Sequence, residues 1–158
     1  MSGPGTATDW ELRRRDMVKR QIERRGILDP RVLKAMAEIP REWFVPEDGR
    51  HLSCSDEPVG IGFGQTISQP YITALMAECL RLKGTETVLE VGAGCGYHAA
   101  VLGALAARVI AVEIIPELAE LARTNLRVTG LDGNIEVVHG DASRGCHAVA
   151  SASAGISP

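Results

Sequence analysis

Two acids and three glycines are the residues best spaced to do chemistry. Val88, Leu89, Glu90 and Val91 form a short apolar run carrying one acid, and Gly92, Gly94 and Gly96 follow at alternate positions. A strand that runs into a tight glycine turn and then a helix reads this way. Without Cβ atoms, backbone N–H groups at such a turn can come close to a ligand. A second strand-like run, Arg108 to Val112, ends in Glu113. Glu113 follows Gly92 by about 20 residues, the interval at which a strand-end carboxylate meets a ribose diol in nucleotide-binding α/β folds. Together these residues point to an adenosine-containing ligand.

The elements around them must supply a parallel sheet. Residues 1–8 are small and polar and read as a disordered N-terminus. Asp9 is a candidate cap for a first helix running to Gly26, with Leu12, Val18 and Ile22 on one side. Its arginines, Arg13, Arg14, Arg15, Arg20, Arg24 and Arg25 with Lys19, read as a solvated face balanced by Glu11, Asp16 and Glu23. Asp29 and Pro30 open a second helix, which Pro40 closes; Val32, Met36 and Ile39 mark its core side. Trp43-Phe44-Val45-Pro46 is a short apolar anchor. Residues 47–68 read as a long loop containing Gly60, Gly62 and Gly64, and loops of that length are usually functional or mobile.

A third helix is expected from about Pro70 to Leu82, with Ile72, Leu75, Met76 and Cys79 as its buried stripe. After the glycine turn, Ala99, Ala100, Leu102 and Leu105 mark another helix. One more runs from Pro116 to a stop at Gly130, and Ile135 to His139 reads as a third strand, followed at once by Gly140 and Asp141. Alternating strands and helices imply a parallel sheet with right-handed crossovers.

Composition narrows the setting. At 158 residues the chain can build one domain with a real core, and its net charge of −3 gives no reason to expect nucleic acid. Cys54, Cys79, Cys95 and Cys146 show no paired framework, which fits a reducing cytoplasm. No apolar run reaches membrane-spanning length, and the N-terminus lacks the apolar region of a signal peptide. His51 with Cys54, and Cys146 with His147, lack the second matching pair that a zinc site needs, so no metal is expected. His98 reads as a helix-surface histidine.

Four segments occur in one order: Gly64-Gln65-Thr66-Ile67-Ser68-Gln69-Pro70-Tyr71-Ile72, Val88 to Tyr97, Val112-Glu113-Ile114-Ile115-Pro116-Glu117-Leu118, and Gly140-Asp141. With them, the chain closely resembles the protein-L-isoaspartate O-methyltransferase family over roughly residues 10–143. The glycine turn alone would indicate only a class I methyltransferase; the Gly64–Pro70 segment is more specific. The resemblance implies an α/β fold with a doubly wound parallel sheet of the Rossmann-like class I type, preceded by N-terminal helices. It also implies S-adenosylmethionine as methyl donor and the free carboxylate of isoaspartyl residues in damaged proteins as acceptor. By the same resemblance, Glu90 faces the donor's amino group, Gly92 and Gly94 pass beside its methionine part, Glu113 takes the ribose hydroxyls and Asp141 meets the adenine amino group. Gln65, Thr66 and Ile67 form the substrate loop, and Ser68 matches the active-site serine.

The chemistry of the donor agrees with that assignment. It carries a sulfonium and an ammonium, which suit strand-end acids better than a dinucleotide pyrophosphate would. The turn reads G-x-G-x-G, whereas dinucleotide sites usually show G-x-G-x-x-G. A dinucleotide-binding oxidoreductase fragment is therefore the distant alternative. Ser68 could also cap the third helix, since Pro70 lies two residues on, and the two roles can coexist. Cys95, a thiol in the glycine turn, is a candidate reactive group.

The pattern breaks near the C-terminus. After Asp141, nine of the seventeen remaining residues are alanine or serine, and no further strand with a packed face can be read. The division expected is residues 1–8, an incomplete methyltransferase domain over 9–141 that stops after the third strand, and an Ala/Ser-rich tail over 142–158 outside the family pattern. A chain of this kind would keep the cofactor half and lose much of the acceptor half. The rival to an enzyme is then a non-catalytic S-adenosylmethionine-binding remnant.

Overall fold

The computed structural model describes residues 7–144 of the chain. Of residues 1–8, read as a disordered N-terminus, 1–6 lie outside the described residues, as does the tail from 145 onward, while residues 7 and 8 belong to the first helix. Helix α1 spans Ala7–Met17 and continues through a π turn, Val18–Ile22, and a 3-10 turn, Glu23–Arg25. Gly26, at φ +96°, ends it where the sequence expects. Asp9 is not its cap. It lies inside the first turn, where its carboxylate pairs with Arg13 at 3.1 Å. Leu12 is exposed, while Met17, Val18 and Ile22 are buried. Helix α2, Pro30–Glu38, begins as predicted: Asp29 accepts a hydrogen bond from the Arg31 amide at 2.9 Å, and Pro30 opens the first turn. Val32, Met36 and Ile39 are buried, as are Phe44 and Val45 of the following anchor, but Trp43 is exposed.

The stretch read as a long loop contains a 3-10 helix, Glu47–Leu52, and a β-hairpin of β1, Val59–Gly62, and β2, Gln65–Ile67. Val59, Ile61 and Ile67 point into the core, and the glycines alternate outward. Phe63 and Gly64 form the turn, both at positive φ (55° and 69°), as a tight two-residue hairpin loop requires. Helix α3, Pro70–Cys79, is shorter than predicted, and Arg81 at φ +50° follows its end. Its stripe is also rotated. Thr73, Ala74 and Ala77 are buried, whereas Ile72, Met76 and Cys79 are exposed and Leu75 is half-buried.

The sheet holds β3 (Thr87–Val91), β4 (Arg108–Glu113) and β5 (Ile135–His139), parallel and in the order β3-β4-β5. Helix α4, Tyr97–Gly103, links the first pair, and α5, Pro116–Thr129, links the second. The two helices touch. Gly130, at φ +69°, caps α5. Ala99, Ala100 and Leu102 of α4, with Leu118, Ala122 and Leu126 of α5, build the core over one face of the sheet. Among the described residues β3 pairs with β4 alone, so its other edge is open. Leu89 and Val91 on it are 41% and 67% exposed, where the sequence reads a buried strand. Among the described residues no helix is long and apolar enough to cross a membrane.

Candidate active site

A cleft of about 610 Å³ opens at the carboxyl end of β3, within the size range of small-molecule sites. The hairpin and its exit contribute Thr66, Ile67 and Ser68, the glycine turn contributes Gly92 and Gly94, and Glu90, Cys95 and His98 add further polar groups to the lining. Met76, Cys79 and Leu80 of the α3 side face Leu89 and Val91 across it, so the cleft also runs along the open edge of β3. Three of the predicted site residues, Gln65, Glu113 and Asp141, do not line this cleft.

Glu113 reaches the site through the turn. Its Oε2 accepts the Gly94 N–H at 2.8 Å and its Oε1 accepts the Ile115 N–H at 3.0 Å. The side chain is buried, and each oxygen keeps a lone pair for a further donor. Gly92 and Gly94 have φ of +86° and +56°, the left-handed region that other residues rarely adopt. A Cβ on Gly94 would lie 3.3 Å from Ile61 of the hairpin, so that glycine lets the hairpin approach the turn. Gly96 serves packing instead. A Cβ there would meet Ala122 of α5 at 3.2 Å. Asp141 follows β5, and its Oδ1 accepts the Ser143 amide at 2.9 Å and hydroxyl at 2.6 Å.

Buried Glu90 pairs with half-buried His98. His98 Nδ1 stands 3.2 Å from Glu90 Oε1, with the two side chains 21% and 7% exposed. His98 is therefore not a surface residue. The first turn of α4 aims it back over the strand end. Glu90 Oε2 and His98 Nε2 are buried with no hydrogen-bond partner among the described residues. Burial pushes the Glu90 carboxyl above its ordinary value of 4.5; the hydrogen bond and charge of His98 oppose that, and Glu113 adds to it. A carboxyl whose folded pKa is raised adds stability that is full below its unfolded pKa and lost as pH rises through the folded one. Ionised Glu90 thus costs the unliganded fold stability at neutral pH. Glu90→Gln is expected to melt higher than the parent at neutral pH, with the gap closing toward about pH 4.5. A gap that instead widened in acid, in thermal melts across this range, would count against a raised pKa.

Ser68 is exposed, and its hydroxyl makes no hydrogen bond within the described residues. It does not cap α3. Gln69 holds the cap position without a side-chain bond. What fixes Ser68 is Arg41, a fully buried arginine that the sequence reading did not single out. Arg41 donates from Nη2 to the Ser68 carbonyl and from Nε to the Ser53 carbonyl, both at 2.6 Å. Its guanidinium lies 4.6 Å from the centre of the Tyr97 ring, at the start of α4. One side chain thereby ties the hairpin exit to the helix after the glycine turn. Cys95 is buried and its thiol is pushed up to about 11, so it stays protonated and is not the reactive group its place in the turn suggests.

The sequence model of the family described as protein-L-isoaspartate(D-aspartate) O-methyltransferase (PCMT) matches residues 12–154. The chain belongs to this family. The match passes Asp141 into the Ala/Ser-rich tail. Among similar proteins, protein-L-isoaspartate O-methyltransferase 1 of Rhodopseudomonas palustris (strain HaA2) is 52% identical over 139 residues, covering 88% of this chain and 56% of its own length. Protein-L-isoaspartate O-methyltransferase 2 of Marinobacter nauticus is 61% identical over 117 residues, 74% of this chain and 53% of its own length. The chain thus spans a little over half the length of these curated relatives. A solved protein-L-isoaspartate O-methyltransferase superposes with a TM-score of 0.70 at 29% identity, covering 81% of this chain and 42% of its own. A Plasmodium falciparum structure named for the same activity, in complex with S-adenosyl-L-homocysteine, gives 0.67 at 26%, covering 80% of this chain and 62% of its own. The parallel sheet with N-terminal helices is therefore the class I methyltransferase architecture the sequence implies.

Proposed function

We propose that this chain carries the methyl-donor site of a protein-L-isoaspartate O-methyltransferase, acting on isoaspartyl carboxylates of damaged proteins. The observation that carries the proposal is the single cleft that sets Thr66, Ile67 and Ser68 against Glu90 and the glycine turn. The donor named by the family fits the residues present. Orphaned buried acceptors on Glu90 and His98 suit a cation, and Glu113, with its unused lone pairs, suits a diol. S-adenosylmethionine, when bound, supplies a methyl group on a positively charged sulfur.

The chain's own residues then have three tasks. Glu90 holds the cationic amino-acid end, Glu113 takes the ribose hydroxyls while bracing the turn through Gly94, and Asp141 at the end of β5 receives the adenine amino group. Gln65, Thr66 and Ile67 present the acceptor, and Ser68 positions its carboxylate. That carboxylate has a reference pKa of about 3.3–3.7, so it is ionised at neutral pH and needs no general base. With the donor held by Glu90, Glu113 and Asp141, this carboxylate would serve as the nucleophile toward the methyl group that the donor would supply, and Ser68 would keep its oxygen in line. Alignment and exclusion of water then carry the rate.

The open edge of β3 and the exposed Leu89, Val91 and Met76 favour a second statement: the 158-residue chain by itself holds the cofactor but does not turn over. A chain with this edge tends to self-associate. The test joins the chain to the C-terminal portion of the Marinobacter nauticus relative and measures methyl transfer to an isoaspartyl peptide. The joined protein is expected to be active, the chain alone inactive. In the joined protein Ser68→Ala should depress turnover at least about tenfold, the loss of one positioning hydrogen bond to a charged group, with cofactor affinity kept. Equal turnover by the chain alone, or a Ser68→Ala variant at parental rate, would overturn these assignments.

A further inference from the structure

We propose that His98 is a second ligand-holding residue, accepting a hydrogen bond from the cofactor's ammonium alongside Glu90. The inference rests on the cofactor reading above and extends it to a residue of this chain's own turn. Two observations carry it. His98 and Glu90 line one cleft, and each keeps a buried polar atom, Nε2 and Oε2, without a partner among the described residues. Buried polar atoms are nearly always paired, so two orphans on neighbouring side chains mark a place where something else supplies the donors.

The tautomer follows from the contact already made. The ring meets the ligand as the neutral imidazole: with Nδ1–H facing Glu90 Oε1 at 3.2 Å, Nε2 is a lone-pair acceptor, whereas the imidazolium would present N–H on both sides. Glu90 Oε2 is also an acceptor. A ligand that fits both must bring donors, and one that relieves a desolvated carboxylate must bring positive charge. A primary ammonium does both, with three N–H donors and a unit charge. A carboxylate, phosphate or carbonyl group brings neither. Both atoms are covered, so a ligand meets them when the two side chains turn toward the cleft they line. The charged group printed against the pair is Glu113, which favours a cation; Arg41 acts on the neighbouring Cys95, with Nε and Nη2 held by two carbonyls and Nη1 buried without a partner among the described residues.

The experiment compares two ligands that share the adenosine thioether and differ in the amino-acid end. S-adenosylhomocysteine carries the ammonium; 5′-methylthioadenosine lacks it. Affinities are measured by calorimetry on the full chain. In His98→Ala, S-adenosylhomocysteine is expected to bind about tenfold or more weakly, as loss of a charge-assisted hydrogen bond implies, with 5′-methylthioadenosine unchanged. His98→Gln, whose amide can donate to Glu90 and accept from the ligand, should recover most of the loss. If His98→Ala melts below the assay temperature, His98→Phe makes the same comparison with the ring volume kept. Equal losses for both ligands, or no loss for either, overturn the assignment while the cofactor reading stands. A parent chain that binds neither ligand overturns both.

Discussion

Replacing Arg14 by alanine is expected to destabilise the fold by about 3–5 kcal/mol, the usual result of removing one partner from a buried ion pair. Arg14 and Glu42 are 9% and 5% exposed at their side chains, and the guanidinium also donates from Nε to the Ala37 carbonyl at 3.0 Å. Without Arg14, the Glu42 carboxylate stays buried with no countercharge, and the Ala37 carbonyl loses its donor. Because Glu42 stands beside Arg41, whose side chain grips Ser68, the damage should spread to the cleft. Urea unfolding followed by circular dichroism measures the effect. The neighbouring Arg13→Ala and Arg15→Ala variants provide the contrast. Their pairs with Asp9 and Glu11 are exposed, and each should cost less than about 1 kcal/mol. Equal costs for all three would mean that the Arg14 pair is not the anchor it is here taken to be.

Glu113→Ala should act on both stability and binding. Removing the carboxylate leaves the Gly94 and Ile115 amides without their acceptor, at about 1–3 kcal/mol for each one left unsatisfied. S-adenosylhomocysteine affinity should fall by a further 1.5–3 kcal/mol, about ten- to a hundredfold or more, if its ribose hydroxyls bond to the same oxygens. Calorimetry on the folded variant, below its melting temperature, separates the two effects. A variant that loses stability but keeps full affinity would confine Glu113 to bracing the glycine turn.

Much of this was legible from residue order. Strand β4 with its terminal acid, the Asp29-Pro30 start of α2 and the Gly130 end of α5 are local signals, and local chemistry decides them. The misread elements depend on what lies across space. Residues 59–67 read as loop because Gly60, Gly62 and Gly64 break any strand pattern. The hairpin forms because Val59, Ile61 and Ile67 share one buried face, and Phe63 takes a left-handed φ that sequence rules reserve for glycine or asparagine. Helix α3 has apolar residues on two sides. Periodicity selects the bulkier one, yet the helix buries its small side, Thr73, Ala74 and Ala77, and leaves Ile72 and Met76 exposed.

The site divides in the same way. The glycine turn and Glu90 were readable from motif spacing, Ser68 only through the family resemblance, and one cleft is lined by all of them. Arg14, Arg41 and His98 were not. Charged residues in charge-rich sequence read as solvated, and only tertiary packing shows that Arg41 is buried over Tyr97. For His98 a signal existed. It sits in the first turn after the glycines, two positions beyond Gly96, where a side chain can fold back over the strand end.

The cofactor site itself is tested most directly by titrating the 158-residue chain with S-adenosylhomocysteine and, separately, with NAD. Saturable one-to-one binding of S-adenosylhomocysteine, with no heat from NAD at the same concentration, is the predicted result. Binding of NAD in preference to S-adenosylhomocysteine, or of neither by a chain shown to be folded, would contradict it.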